Sequence, residues 1–411
     1  MPKPGSTTKP FTFFFLLLPY GISNGFVSIT LPFFLTRAGF SVATAASIVA
    51  LGISANIWLF LWGPVVDLTL TPRRWYMLAV VTSAAALFLL GIVPFEQRAV
   101  VILTAMVFIS QVAVTLVVLP MGALMAYTVA DEGKGRAAGW YQAGNLGGSG
   151  IGGGAGVWLA SHVSKEAAST SLAFAMLASA VALYFVSDVR LVTTETIAQR
   201  LRLLGRDIFS MLRSAIPLFT IVLVCSPIGA AAMNNLWSAV ASDWRVDANT
   251  VALVTGLLNG AISAVGCVVG GWLADRVGRW WAYFGSGTAL ALVAIIMAAT
   301  PRTPAIYALG VLAYSFFGGV AYAAFSAVVL FAIGRGAAST KYATLSSLGN
   351  LPVVYMTAAN GWVHDRFGTA SMLWTDALSA VGVIVIALLI LRKINATQAQ
   401  ADELNPRSVL P

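Results

Sequence analysis

Charge is scarce in this chain. Only 9% of its 411 residues are Asp, Glu, Lys or Arg, while 59% are apolar; soluble domains average roughly 25% and 45–50%. That shortage excludes water as the main solvent of the fold. Cysteine is scarcer still. Cys225 and Cys267 both sit in apolar stretches, which suits small packing residues and excludes a disulfide framework or thiolate metal site. The two histidines, His162 and His364, fall near the ends of apolar runs. With no nucleophile–base pair or metal-ligand spacing, the chain offers no catalytic residues and calls for no cofactor, and a membrane-embedded enzyme is the weaker rival reading.

What is present is a regular alternation. Eleven runs of at least twenty residues lack Asp, Glu, Lys and Arg: 10–36, 38–66, 75–95, 99–130, 137–164, 167–187, 214–242, 248–274, 280–301, 303–334 and 342–364. A twelfth, 367–391, is interrupted only by Asp376. Each run meets the ~20 residues that a helix needs to cross a ~30 Å hydrocarbon core, and the Gly and Pro scattered through them argue against buried strands. The expected fold is therefore an all-α membrane protein with twelve transmembrane helices. The first run follows Lys3 and Lys9 but has no small-residue cleavage site after a short core, so it reads as an uncleaved first helix.

Basic residues orient the spans, because cytoplasmic loops retain Lys and Arg. With the N-terminus inside, 18 of the 24 basic residues lie in cytoplasmic segments and 6 outside. Both termini are then expected in the cytoplasm of a cell whose inner membrane holds the chain. The net charge of +9 reflects this topology, with no nucleic-acid partner implied. The lipid bilayer and a small-molecule solute are the expected partners of a monomer.

The longest polar break, 188–213, splits the spans six and six. Ile197, Leu201, Leu204, Ile208 and Leu212 share one helical face there, which predicts an amphipathic linker helix on the inner leaflet. The expected domains are a tail at 1–10, a six-helix bundle at 11–190, a linker at 191–213, a second bundle at 214–391 and a polar tail at 392–411. The halves repeat. Pro19-Tyr20-Gly21 matches Pro227-Ile228-Gly229 and Asp67 matches Asp275, both at an offset of 208. Arg136 followed by Gly144-Asn145-Leu146 and Gly156 matches Lys341 followed by Gly349-Asn350-Leu351 and Gly361 at an offset of 205. Three ordered matches at nearly one offset indicate a duplicated six-helix unit, with the solute site between the halves near the midplane.

After the second span the chain reads GPVVDLTLTPRRWY (63–76), and after the eighth GGWLADRVGRWW (270–281). Both resemble the signature loop of the major facilitator superfamily: a glycine near the helix end, an aspartate four residues on, then a basic turn. The first copy carries two extra residues and lacks a basic residue directly after Asp67. The resemblance covers about 11–391 and implies two pseudo-symmetric six-helix bundles working by alternating access. It also implies gating roles for Asp67, Arg73, Arg74, Arg136, Asp275, Arg276, Arg279 and Lys341, with Asp67 near Lys341 and Asp275 near Arg136. Ordinary loop charge obeying the positive-inside rule is the plainer reading of the same residues. FLWGPVVD (60–67) and DEGKGRAAGWYQAGNLGG (131–148) further resemble the branch of muropeptide permeases and acetyl-CoA transporters.

Polar side chains inside a span turn toward the bundle interior or a wet cavity. Asn and Gln occur in spans 1, 2, 4, 5, 7, 8 and 11 but not in 3, 6, 9 and 12, the four helices that are peripheral in the resembled superfamily. Those nearest mid-span, with two tyrosines of span 10, are the binding candidates: Asn24, Asn56, Gln111, Asn145, Asn259, Tyr314, Tyr322 and Asn350. Interhelical hydrogen bonding is the alternative role for each. No Lys or Arg lies inside a span, which disfavours an anionic cargo such as an acyl-CoA and favours a largely neutral sugar-containing or peptide-like solute. Asp376 is the candidate for proton coupling, with packing or snorkelling as the alternative. The run Gly148-Ser149-Gly150-Ile151-Gly152-Gly153 satisfies G-x-G-x-x-G but lies inside an apolar run with no strand before it, so it is no dinucleotide loop. Gly144, Gly148, Gly152 and Gly156 form a smooth stripe, expected to face span 8 across the two halves. A nontransporting sensor and proton-driven efflux of an amphiphile are the remaining alternatives.

Overall fold

The computed structural model describes residues 8–40, 42–94, 96–186, 202, 206, 221–333 and 338–404. The amphipathic linker falls almost wholly outside them. Twelve helices follow in order: α1 (12–37), α2 (42–68), α3 (Pro72–Ile92), α4 (Val100–Thr128), α5 (134–162), α6 (Lys165–Phe185), α7 (221–244), α8 (248–277), α9 (Arg279–Ala299), α10 (Pro304–Ile333), α11 (338–367) and α12 (369–404). Among the described residues, nine continuous stretches are long and apolar enough to span a bilayer. The last of these, Ala338–Ile390, holds two helices that reverse at Gly368, where φ is +77°. Of the remaining two helices, α5 is diluted by glycine and α7 is broken.

The helices form two six-helix bundles. In the first, α1 packs on α5 and α4, and α3 packs on α4 and α6; in the second, α8 packs on α10, and α9 on α10 and the α11–α12 pair. In each bundle one tyrosine hydroxyl ties the third helix to the first. Tyr76 of α3 donates to the Leu16 carbonyl at 2.9 Å, and Tyr283 of α9 donates to the Ile228 carbonyl at 2.5 Å.

The glycine stripe of α5 faces a different neighbour from the one expected. A Cβ on Gly148 would sit 3.0 Å from the Leu18 carbonyl, and Gly144 and Gly152 abut the backbone of Phe14 and Ile22. All three contacts are to α1, within one bundle. Helices α5 and α8 do meet across the halves, through other glycines: Gly139 lies against Gly271, where an added Cβ would come within 2.8 Å of the Gly271 Cα. An α-helix with glycine at 135, 139, 144, 148 and 152 presents two smooth faces, so one serves each neighbour.

Helix α7 shows why its half differs from the other. Pro19 is accommodated within continuous α1. Its repeat partner Pro227 lies in a segment, 225–231, that leaves the helical path: Gly229 has φ +67° and Ala231 φ +48°. A left-handed alanine costs about 1–2 kcal/mol and persists only where its surroundings determine it. Here the freed carbonyls are met by neighbouring hydroxyls. Tyr355 donates to Cys225 O at 2.9 Å, Tyr283 to Ile228 O, and Thr357 to Ala232 O at 3.4 Å. Irregular backbone at membrane depth needs such partners or a cavity, and this segment has both.

Candidate functional site

Between the bundles lies a cavity of about 810 Å³, counting the part open to solvent. Among the described residues its wall has no charged side chain. Tyr20 of α1 and Asn56 of α2 join through a 2.9 Å bond from the Tyr20 hydroxyl to Asn56 Oδ1. On α5, Asn145 Nδ2 donates to Gln142 Oε1 at 3.1 Å, while Gln142 Nε2 crosses the interface to Ser326 Oγ of α10 at 2.6 Å. Tyr141 and Tyr342, from α5 and α11, meet edge to face with centroids 6.0 Å apart. Asn350 Nδ2 donates to its own helix at Ser346 O, 3.2 Å away. The broken stretch of α7 supplies Ser226, Ile228, Gly229 and Ala230. Such a wall of amides, hydroxyls and ring faces donates and accepts hydrogen bonds without supplying a counter-ion.

A second space, about 880 Å³, adjoins the first and shares Ala230, Tyr322 and Val353 with it. Asn234, Asn235, Thr255, Asn259 and Ser263 line it. At Gly256 nothing among the described residues lies within 4 Å of where a Cβ would be, while one turn on a Cβ at Gly260 would meet Gly150 of the other half at 3.5 Å, so the space between the halves closes toward that contact.

At the opposite end they are clasped. Asp67, ending α2, accepts from Ser339 N at 3.2 Å, Thr340 N at 2.8 Å and Thr340 Oγ1 at 2.7 Å, which are the first residues of α11. Asp275, ending α8, accepts from Gly135 N at 2.7 Å, Arg136 N at 3.0 Å and Arg136 Nε at 2.9 Å, at the start of α5. Each carboxylate satisfies backbone N–H groups that have no partner within their own helix, and sits at the positive end of that helix. Each clasp joins one half to the other.

The expected partners are met unequally. Asp275 pairs with Arg136 as expected, on a guanidinium 52% exposed. Asp67 reaches α11 but engages its backbone and Thr340; buried Lys341 donates instead to the Ile333 carbonyl at 3.3 Å. Arg73 donates to Leu183 O at 3.1 Å, Arg276 lies over the Trp272 ring and Arg279 over Phe331. For Arg74 the bond present is from its backbone N–H to the helix-capping Thr71.

Four of the eight binding candidates, Asn56, Asn145, Tyr322 and Asn350, line the central cavity, and Asn259 lines the adjoining space. The other three are elsewhere. Gln111 is buried and donates to Ser23 Oγ at 3.1 Å, packing α4 on α1. Asn24 lines neither space, and its Oδ1 is buried without a hydrogen-bond partner. Tyr314 is buried in the second bundle and donates to Asp376 Oδ2 at 2.8 Å. Asp376 itself neither snorkels nor faces lipid; it is 9% exposed and turned inward. Depth along a span was legible in these cases, but the direction around the helix was not. Tyr20, Tyr141, Gln142, Ser226, Tyr283, Tyr342 and Ser346 also line the central cavity and were not among the candidates. The repeat held a signal for some of them: the 205 offset that relates Asn145 to Asn350 also relates Tyr141 to Ser346.

Comparison with known families decides the wider identity. The Major Facilitator Superfamily model matches residues 13–354. The chain belongs to that superfamily. Its members are transporters and its fold is the twelve-helix arrangement described above. No curated protein matches the chain. Among solved structures, the human organic anion transporter MFSD10 superposes with TM-score 0.68 at 16% identity, covering 93% of this chain and 98% of that one. The proton:xylose symporter XylE gives 0.65 at 14%, covering 93% and 94%. FucP, solved in the outward conformation, gives 0.69 at 13%, covering 92% and 98%. At these identities the likeness concerns the fold of this superfamily member alone.

Proposed function

We infer that this chain carries a small, largely neutral polar solute across the inner membrane by alternating access, and that the structure is its outward-facing state. The uncharged amide-and-tyrosine cavity between the halves carries this reading. Burying an anion or cation there would require a counter-charge that its wall does not supply. Vicinal hydroxyls or peptide amides match paired Asn and Gln groups, and Tyr faces suit sugar rings or apolar stems. Neutral sugar-containing or peptide-like compounds have this chemistry. Placing the clasped end in the cytoplasm rests on the 18-to-6 distribution of basic residues. The bundles at 11–190 and 214–391 then act as the two moving bodies. Asp67 and Asp275 hold the inner gate shut, and their release opens it.

The test is a thermal-shift screen of the purified protein against neutral sugars, short peptides and muropeptide fragments, followed by counterflow of each hit in proteoliposomes. A neutral hit that exchanges across the bilayer, and loses binding in Asn145→Ala, supports the reading. Stabilisation by anionic compounds alone would overturn the solute class. A bound hit with no counterflow would instead favour a sensor.

A further inference from the structure

Inside the second bundle, away from the cavity wall, lies a polar cluster that the gates and the cavity do not use. Asp376 of α12 accepts from the Tyr314 hydroxyl of α10 at 2.8 Å and from Asn360 Nδ2 of α11 at 2.9 Å. Both partners are fully buried. The surroundings are Met233, Trp237, Met372, Leu373 and Ala377, all apolar or aromatic. No salt bridge to Asp376 exists among the described residues, and its hydrogen-bond partners on α10 and α11 are uncharged. The nearest titratable group along α11 is His364, one turn beyond Asn360, and it is engaged by Asp243 and Asp365.

A structural carboxylate at this depth would be held by a cation. Asp376 is held by two groups that work either way. A hydroxyl donates to a carboxylate or accepts from a carboxylic acid, and an amide does the same once it turns over. Asn360 is half-used at present: Nδ2 is bonded, while Oδ1 is buried with no hydrogen-bond partner. If Asp376 takes up a proton, that oxygen is the acceptor its new O–H needs. Turning the amide also removes Nδ2 from Met233 Sδ, now 3.6 Å away. Met233 lies two residues after the left-handed Ala231 of the α7 break, and Trp237 of α7 packs edge to face on Tyr314 at 5.4 Å. The cluster therefore touches the segment that forms part of the cavity wall.

We propose that Asp376, with Asn360 and Tyr314, is a proton-binding site whose state is passed through Met233 and Trp237 to the broken segment of α7. It makes the proton the coupling ion of the carrier and puts the proton and solute in separate places joined by α7. The proposal rests on the transporter reading, but its test needs no solute.

Two readouts on purified protein decide it. The first is pH-difference infrared spectroscopy of the carboxylic C=O stretch in wild type, Asp376→Asn and Tyr314→Phe. Wild type is expected to show a protonated-carboxyl band that Asp376→Asn loses. Tyr314→Phe removes a bond to the charged form, so its midpoint moves up by about one to two pH units. The second is the rate of maleimide labelling of Ser226→Cys in a Cys225→Ser background across the same pH range. Thiol ionisation contributes equally with and without Asp376→Asn, so the ratio of the two rates isolates the relay and is expected to change at least threefold through the infrared midpoint. An unchanged infrared band in Asp376→Asn, or a labelling ratio flat with pH, overturns the proposal. Should Asp376→Asn fail to fold, Tyr314→Phe carries the test, and an unmoved midpoint in it overturns the proposal equally. None of these outcomes bears on whether a solute is transported.

Discussion

Replacing Asp67 with asparagine is the sharpest test of the gate. The wild-type carboxylate accepts three hydrogen bonds, all from the opposite half, at 2.7–3.2 Å. An amide keeps one acceptor oxygen, while its NH2 group faces a backbone N–H that it cannot satisfy. At least one charge-assisted bond is lost, and the rest fall from about 1.5–3 kcal/mol each to about 0.5–1.5. The attraction of the charge to the α11 N-terminus, about 0.3–1 kcal/mol, goes as well. Because Asp67 is only half-buried, the low end of the sum applies, about 2 kcal/mol or roughly a 30-fold shift toward the released state. A closed population of about 99% would fall to about three quarters. Spin labels on Leu70 and Val277, exposed residues beside the two clasps, report this as a new long-distance component in double electron–electron resonance. Uptake into proteoliposomes should fall in parallel while the protein stays monodisperse. An unchanged distance distribution with normal transport would refute the assignment of Asp67 to the gate.

Other perturbations have equally definite outcomes. Gly139→Ala puts a methyl within 2.6 Å of the Cys267 carbonyl and 2.8 Å of the Gly271 Cα, so the same label pair should show the clasped end opened, more strongly than in Asp67→Asn; an unchanged distance shows that the interface yields. Gln142→Ala breaks two cavity-wall bonds and should weaken binding of any hit from the solute screen by about tenfold or more, read by calorimetry. At the far end His364 bonds Asp243 at 2.9 Å, and Thr369 bonds the same carboxylate. His364→Ala removes one of these bonds and should lower the melting temperature by about one or two degrees; an unchanged melting temperature shows that the bond adds nothing to stability.

Much of this protein is legible in its sequence. Charge-free runs gave the spans because a bilayer admits only helices whose backbone bonds are satisfied internally. The duplicated Pro-x-Gly, Asp and Gly-Asn-Leu positions revealed the two halves, and the repeated loop led to two carboxylates that close one end. These properties are carried by residue type and spacing along one helix. What surrounds a helix is not carried that way. Gln111, Tyr314 and Asn145 all lie at mid-span, yet one packs α4 on α1, one binds Asp376, and one faces the cavity. Azimuth separates them, and azimuth follows from which faces of several helices fit together. The same holds for the α5 glycines, divided between α1 and α8, and for Asp67, whose partner is the end of a helix and not the lysine beside it. Pro19 and Pro227 make the point most plainly: equivalent in the sequence, one sits in an intact helix and the other in a break. Around the second, tyrosine and threonine hydroxyls take up the carbonyls that a broken helix releases.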